Sequence, residues 1–222
     1  MDAKAAAKEK LGANQPQLID LSHRIHANPE LGFEERLAST WLCEMLADAG
    51  FKVEAGICDM PTAFVARAGS GPLHIGICAE YDCLPQIGHA CGHNIIAAMA
   101  VGAGIAAAKI ADEAGLTVSV FGTPAEEVGD GGGKVLMLER GGFEGIHAAM
   151  MVHPSPVDTL DLPGTAITTF DVHYTGREAS PAIMITIGFR RMCVMSFTPL
   201  IVGAVVMWPP SDILKRYPKT AI

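Results

Sequence analysis

The chain has 222 residues, of which 18% are charged and half are hydrophobic, and its formal net charge is −8. This acidic balance argues against binding to nucleic acids or anionic membranes, both of which require basic patches. The six cysteines follow no disulfide-framework spacing, and the start, MDAKAAAKEK, lacks the apolar core of a secretory signal peptide. We therefore expect a cytoplasmic protein whose thiols are free or metal-bound.

The first third of the chain predicts two helices followed by short strands. We expect residues 1–15 to form a frayed lead-in or helical arm, and Pro16 to open the first helix, where its missing N–H has no consequence. Asn28-Pro29 should end that helix, because the residue before a proline disfavours the helical region. The pattern then predicts, in chain order, a helix over 34–49 and strands over 51–53 and 62–67.

The middle of the chain predicts alternating strands and helices. Apolar runs separated by turn residues give, in chain order, a strand over 73–78, a helix over 94–110, a strand over 116–121, a short helix over 134–140 and a strand over 148–152. Such alternation is typical of an α/β fold in which helices cover both faces of a mostly parallel sheet. We therefore predict the α/β class.

The sequence character changes twice in the last third of the chain. From Gly164 a period-2 strand begins that is typical of a second, different sheet. Residues 181–222 then form an apolar tail without clear periodicity, and its uncharged run over 192–208 is interrupted by Pro199 and Gly203. That run is shorter than a membrane-spanning helix requires, so we do not expect a membrane span. We predict segments 1–163, 164–180 and 181–222.

Polar side chains cluster at the ends of three predicted strands. The stretch over 79–93, AEYDCLPQIGHACGH, carries six that can bind metal or move protons: Glu80, Asp82, Cys83, His89, Cys91 and His93. Glu126 and Glu127 follow the next strand, and His153 follows the last one. Because the carboxyl ends of neighbouring parallel strands lie at one edge of a sheet, these loops should meet. Cysteine, histidine and carboxylate are ligands for zinc and related divalent metals, so we predict a metal site.

The two adjacent carboxylates suggest a division of labour. One can bind metal, while the other remains free as a general base. A water bridging two metal ions would lose its proton more easily, and Glu126 would accept that proton and pass it to a leaving amine. Asp82 would orient the metal ligands without binding the metal itself.

Several motifs of this sequence occur together in one known family. They are HACGHN at 89–94, AEYDCLP at 79–85, GTPAEE at 122–127, MVHP at 151–154 and RIHANPELGFEE at 24–35. In this order they resemble the metallopeptidase family that includes aminoacylase, carboxypeptidase G and p-aminobenzoyl-glutamate hydrolase. The resemblance is to the amidohydrolase branch, whose members cleave N-acyl amino acids and dipeptides.

The resemblance implies a site with two divalent metal ions, zinc or manganese. It assigns Cys91, His93, Glu127 and His153 as metal ligands and Glu126 as the general base. The implied reaction is metal-dependent hydrolysis of an amide bond in a small-molecule substrate. His89 has two open interpretations, because it could contact the metal ligands or cap its own loop.

The family fold is a metal-binding α/β domain interrupted by a smaller α+β lid, through which subunits usually form homodimers. The strand over 164–176 would begin that lid. The resemblance covers roughly residues 16–179. Ser180 stands near the place where relatives carry a histidine that polarises the scissile carbonyl.

The resemblance is lost after about Ser180. Related chains are longer and supply one more histidine ligand after the lid, whereas no histidine follows His173 here. We therefore expect a C-terminally truncated or frame-shifted chain that binds metal weakly and hydrolyses little. Two alternatives remain: a non-catalytic remnant that at most binds metal or a partner, and a thiol hydrolase with Cys91 as nucleophile and His93 as base.

Overall fold

The computed structural model describes residues 2–129 and 132–156. Their elements are, in chain order, α1 (Ala3–Ala27), α2 (Arg36–Asp48), β1 (Lys52–Ala55), β2 (Phe64–Gly69), β3 (Leu73–Ala79), α3 (His93–Ala108), β4 (Leu116–Gly122), α4 (Gly133–Glu139) and β5 (Ala148–Met150). A 3₁₀ turn over Ile57–Asp59 lies between β1 and β2. The predicted α/β class is confirmed, and the element boundaries differ from the predicted ones mostly by one or two residues.

The sheet is mixed, with strand order β1-β2-β4-β3-β5. Strand β3 pairs in parallel with β4 and β5, whereas β2 pairs antiparallel with both β4 and β1. The short connection between β1 and β2, residues 56–63, explains the antiparallel edge, because a parallel pair needs a crossover of a dozen or more residues. The parallel half, β4-β3-β5, carries the loops that hold the predicted site.

Helices cover both faces of the sheet, as predicted. Successive strand residues point to opposite faces, and the buried neighbours Ile77 and Cys78 of β3 belong to different core clusters. The larger cluster lies under α1, α2 and α3 and includes Leu21, Ile25, Leu42, Leu46, Val101 and Val120. The smaller cluster lies under α4 and includes Val65, Phe121, Met137, Phe143 and Ile146.

Helix α1 begins earlier than the sequence predicted. It starts at Ala3, behind an N-cap formed by Asp2, and Pro16 lies inside it. The prediction that Pro16 opens the helix is therefore wrong. The alanine-rich stretch before Pro16 favours the helix on the N-terminal side of the proline, and burial of Leu18, Leu21 and Ile25 stabilises the helix on its C-terminal side. The predicted end is confirmed, because the last helical residue is Ala27.

Helix α3 runs through the interior between α1 and the sheet. Its small residues permit this close packing: a Cβ atom added at Gly104 would lie only 2.4 Å from Cγ2 of Val120. Such a helix, apolar on nearly all sides, is typical of a buried position. The helix begins at His93, so its packing fixes one predicted metal ligand relative to the sheet.

Several predictions concern residues outside the described part. These are the segment boundaries at 163 and 180, the lid strand over 164–176 with its dimer contact, and the apolar tail over 181–222. Within residues 2–129 and 132–156, no helix is both long enough and apolar enough to cross a bilayer. The cytoplasmic location stays a prediction.

Candidate metal centre

Three loops meet at the carboxyl edge of the parallel strands. The loop after β3 carries residues 80–92, the loop after β4 carries Glu126 and Glu127, and His153 follows β5. Thr123 joins the first two loops, because its backbone N–H and its hydroxyl both donate to the Ala79 carbonyl, at 2.8 and 2.9 Å. This bridge holds the ends of β3 and β4 in register where the polar residues begin.

His93 lies at the middle of the polar cluster and is 1% exposed. Its Nδ1 lies 2.9 Å from Oδ1 of Asp82 and 3.0 Å from the Asp82 carbonyl oxygen. Because both partners are acceptors, Nδ1 carries a proton and donates it. The electron pair on Nε2 then faces the other carboxylates, at 3.4 Å from Glu80 Oε2 and 3.8 Å from one oxygen each of Glu126 and Glu127.

Two groups of potential ligand atoms share this histidine. Cys91, His93 and Glu127 form one group, and Glu80, His93 and His153 form the other, with all atoms of a group within 4.8 Å of one another. The structure therefore brings Cys91 and Glu127 to one group with His93, and His153 to another group with His93, to which it adds Glu80. Their roles as ligands remain predictions.

Two buried atoms of the cluster have no hydrogen-bond partner in the described part of the chain. Glu80 Oε2 and His93 Nε2 are buried and accept no hydrogen bond from any described residue. Such unsatisfied groups are rare and costly, and a bound water or ion is what commonly satisfies them. Imidazole nitrogen, thiolate and carboxylate oxygen are donors that zinc accepts together. The residues present therefore fit a divalent metal ion.

Asp82 links two of the predicted ligands. Beside its bond with His93, its Oδ2 accepts the backbone N–H of Glu127 at 2.9 Å. Burial alone would raise the pKa of Asp82, but the hydrogen bonds from His93 and from the Glu127 backbone outweigh it, so the pKa is lowered. Asp82 is thus held as a carboxylate that fixes the ring of His93 and the loop after β4.

The adjacent glutamates differ in exposure. The Glu126 side chain is 40% exposed and the Glu127 side chain 24%. Partial burial and the charge of Glu127 raise the pKa of Glu126. Glu126 therefore lies at the open side of the cluster with an increased affinity for a proton, whereas Glu127 points toward Cys91 and His93.

Cys91 and His93 are brought together by the glycine between them. Gly92 has a φ of +78°, and a Cβ there would lie 3.1 Å from Cγ of Pro154. Burial raises the pKa of Cys91 to about 12, and the hydrogen bond to Glu127 and the nearby carboxylates add to this. A thiol of this kind stays protonated near neutral pH unless a cation is bound, which argues against Cys91 as a free nucleophile.

His153 is oriented by the backbone carbonyl of the next residue, Pro154. Its Nδ1 lies 2.9 Å from the Pro154 carbonyl oxygen and donates to it, which leaves Nε2 as an acceptor. Its ring lies 6.1 Å from that of His93, at an angle of 88°. Burial lowers the pKa of His153, so the ring is held in the neutral form that binds metal.

His89 lies apart from both ligand groups. Its ring is 6.2 Å from that of His26, an exposed residue of α1. Burial lowers the pKa of His89. The sequence left open whether this residue contacts the metal ligands or caps its loop, and its role stays a prediction.

Three residues of the site received no role from the sequence. Glu80 belongs to the polar stretch before α3, two residues from Asp82, which was an available signal. Lys134 forms an ion pair with Glu80, and Glu35 accepts the backbone N–H of Ala125. Both come from segments distant in the chain, so no local pattern could reveal them.

Comparison with known proteins places the chain among metallopeptidases. The sequence profile of peptidase family M20/M25/M40 matches residues 79–190. The Xaa-Arg dipeptidase of Mus musculus is 39% identical over 195 residues, which cover 81% of this chain and 44% of the mouse protein. A p-aminobenzoyl-glutamate hydrolase chain of Escherichia coli K12 is 32% identical over 165 residues, which cover 66% of this chain and 34% of the bacterial one.

A solved structure gives the same result. The YXEP protein of Bacillus subtilis, a dinuclear metal-binding peptidase of the M20 family, superposes with a TM-score of 0.58 at 26% identity. The match covers 68% of this chain and 45% of that protein. The chain thus spans less than half the length of each of these three relatives.

Proposed function

The chain belongs to peptidase family M20/M25/M40, and on this basis we propose that it is a metal-dependent hydrolase of amide bonds in dipeptides or N-acyl amino acids. The observation that carries the proposal is a pair of buried atoms, Glu80 Oε2 and His93 Nε2, that have no hydrogen-bond partner among residues 2–129 and 132–156 and lie in a cluster of cysteine, histidine and carboxylate side chains. We further propose two divalent ions, zinc or manganese, since both metals accept ligands present in this set.

Each predicted residue has a distinct part in the proposed reaction. Cys91, His93, Glu127 and His153 would hold the metal, which when bound would polarise the substrate carbonyl and make a water molecule more acidic. Asp82 keeps His93 in the tautomer whose Nε2 is free, because it accepts the Nδ1 proton. Because the relatives include an Xaa-Arg dipeptidase and a p-aminobenzoyl-glutamate hydrolase, we propose small peptide-like substrates.

Glu126 would act as the general base. Its carboxylate lies on the open side of the cluster, with Oε2 at 3.8 Å from His93 Nε2. A carboxylate in this place can accept a proton from the attacking water and deliver it to the amine that leaves. The raised pKa of Glu126 suits this exchange, because a general base works best when its pKa approaches the working pH.

The experiment that tests the proposal is a hydrolysis assay on the purified chain. The chain is stripped with a chelator and incubated with N-acyl amino acids, β-alanyl dipeptides and dipeptides ending in arginine, before and after Zn²⁺ or Mn²⁺ is restored. We expect release of free amine only with metal present. Hydrolysis that survives the chelator but stops on thiol alkylation would favour the cysteine mechanism instead.

The second candidate from the sequence is a metal-binding chain without turnover. In this candidate, the same cluster around His93 would bind metal, but the chain would not hydrolyse the substrates. Metal uptake without amine release from any of the three substrate classes would support that candidate. Homodimer formation stays a prediction, since its lid lies outside the described residues.

A further inference from the structure

Glu80 is the most buried carboxylate of the metal centre apart from Asp82, and both are about 1% exposed. It follows directly after β3, so its backbone is fixed by the sheet. A carboxylate buried to this extent requires partners for both oxygens. The two oxygens of Glu80 have different surroundings, and this difference carries the inference.

The first oxygen is occupied by a cation. Nζ of Lys134 forms an ion pair with Glu80 Oε1. Lys134 lies in the first turn of α4, whose position is fixed because the Gly133 backbone N–H donates to the Pro124 carbonyl at 3.0 Å. The lysine therefore comes from a segment tied to the loop that also carries Glu126.

The second oxygen faces a second acceptor. Glu80 Oε2 lies 3.4 Å from Nε2 of His93, whose proton is on the opposite nitrogen, bonded to Asp82. Neither atom has a hydrogen-bond partner among the described residues. Two electron-rich buried atoms at this distance repel each other unless a positive ion lies between them or a proton is bound to Nε2.

The spacing suits such an ion. Two ligand atoms that each lie about 2.1 Å from a tetrahedral zinc ion are roughly 3.4 Å apart, which equals the distance between Glu80 Oε2 and His93 Nε2. His153 belongs to the same group, in which one ligand atom from each of Glu80, His93 and His153 lies within 4.8 Å of the others. Because Lys134 is paired with Oε1 of Glu80, only Oε2 remains to bind the ion.

We propose that Glu80 is a further metal-binding carboxylate of this centre and that Lys134 is the residue that positions it. The inference rests on the proposed metal-dependent function and deepens it. It adds one ligand to the four that the family resemblance implies, and it gives Lys134 a role in metal affinity. A different interpretation is a purely structural Glu80–Lys134 ion pair with a protonated His93, and the two interpretations predict different binding data.

The test is calorimetric titration of the chelator-stripped chain with Zn²⁺ and, separately, Mn²⁺. We expect Glu80→Gln to weaken binding of one ion about 10-fold to 100-fold, because the amide oxygen carries no charge. Lys134→Met should weaken metal binding less, because Glu80 remains as a ligand but is no longer held in position by the ion pair with Lys134. The matched control is Glu54→Gln, which breaks the exposed pair with Arg67 and should leave binding unchanged.

A neutral double variant covers the case in which a single variant does not fold. Glu80→Gln combined with Lys134→Met removes both charges and so leaves no unpaired buried charge. Circular dichroism and metal-free thermal unfolding verify its fold, and we expect its metal affinity to stay low. Wild-type affinity and stoichiometry in folded Glu80→Gln, or in the folded double variant, would overturn the inference.

The two proposals fail in different ways. If the wild-type chain binds neither metal, the metal-dependent function itself fails. If the wild-type chain and Glu80→Gln bind metal equally well while His93→Ala does not, the metal centre stands and only the role of Glu80 is refuted.

Discussion

Glu35 accepts a hydrogen bond from the backbone N–H of Ala125 at 2.7 Å, although the two residues lie 90 positions apart. The other Glu35 oxygen accepts the hydroxyl of Thr62 at 2.9 Å. Ala125 has a φ of +57°, a left-handed conformation that residues other than glycine adopt rarely. A fully buried carboxylate next to α2 thus braces the residue directly before Glu126 and Glu127.

Removal of this brace should destabilise the protein. In Glu35→Ala the buried Ala125 N–H and the Thr62 hydroxyl lose their acceptor, at a cost of about 1–3 kcal/mol for each unsatisfied group. Urea denaturation of the metal-free chain measures the loss. The neighbouring variant Glu34→Ala serves as the control, because Glu34 is exposed. Equal unfolding free energies for the two variants would contradict the role of Glu35.

The same carboxylate should make stability depend on pH. Burial raises the pKa of Glu35 above its ordinary value of 4.5. A group whose pKa is raised in the folded state contributes stability that is present below the unfolded pKa and is lost as the pH rises through the folded pKa. Glu35→Gln resembles the protonated form, so it should gain stability relative to the wild type as the pH rises above 4.5.

Denaturation curves at a series of pH values provide this comparison. The difference in unfolding free energy between Glu35→Gln and the wild type should change over the pH range that begins near 4.5 and then level off. The variant Glu34→Gln removes one charge at the adjacent exposed position and corrects for the change in net charge. A difference that stays constant from pH 4 to pH 8 would rule out this titration.

Asp82→Asn should weaken metal binding while the fold is kept. The amide has no charge to hold the Nδ1–H of His93, and its second oxygen is replaced by a nitrogen that cannot accept the Glu127 N–H. Loss of such an orienting carboxylate typically lowers metal affinity about 10-fold to 100-fold. Calorimetry measures the change, and Asp112→Asn is the control, because Asp112 is exposed and bonds Ser70 far from the centre.

The two adjacent glutamates should respond differently to the same substitution. Glu126→Gln should reduce turnover about 100-fold to 10,000-fold with little change in metal affinity. Glu127→Gln should reduce metal affinity first, because its oxygen lies in the ligand group of Cys91 and His93. Parallel metal titrations and hydrolysis assays compare the two variants. Equal loss of metal by both would mean that Glu126 is a ligand as well.

Gly92→Ala should uncouple Cys91 from His93. An alanine would be strained at a φ of +78°, and its Cβ would press on Pro154, so both stability and metal affinity should fall. Gly115→Ala offers a matched control, since Gly115 also has a positive φ, +66°, but among the described residues no atom lies within 4 Å of its added Cβ. It should lose similar stability, about 1–3 kcal/mol, and keep its metal affinity.

Local patterns in the sequence predicted most of the fold and the position of the polar cluster. Apolar runs and turn residues located β3, β4, β5 and α3, and the edge of a parallel sheet implied that their loops meet. The predicted start of α1 was wrong, because the alanine-rich stretch before Pro16 is itself a strong helix former and continues the helix back to Ala3. The local signal of Pro16 was given more weight than the helix propensity of the residues before it.

Local sequence patterns also could not predict the long-range contacts around the candidate metal centre. The bond from Ala125 to Glu35 spans 90 positions and the pair of Lys134 with Glu80 spans 54. Glu35, Ala125 and Glu80 stand in motifs named in the sequence analysis, but those motifs do not indicate which residues contact each other, and glutamates and lysines are usually solvated. The antiparallel pairing of β1 with β2, by contrast, could have been predicted, because the predicted strands over 51–53 and 62–67 are already joined by a connection too short for a parallel pair.

A single imidazole nitrogen serves both ligand groups of the centre. With the Nδ1 proton of His93 bonded to Asp82, only the Nε2 electron pair is available, yet Cys91 with Glu127 and Glu80 with His153 both converge on it. One electron pair coordinates one ion at a time, so an ion that takes His93 lowers the affinity of the other group for the next ion. Because such coupling is reciprocal, the two proposed metal ions should load with negative cooperativity.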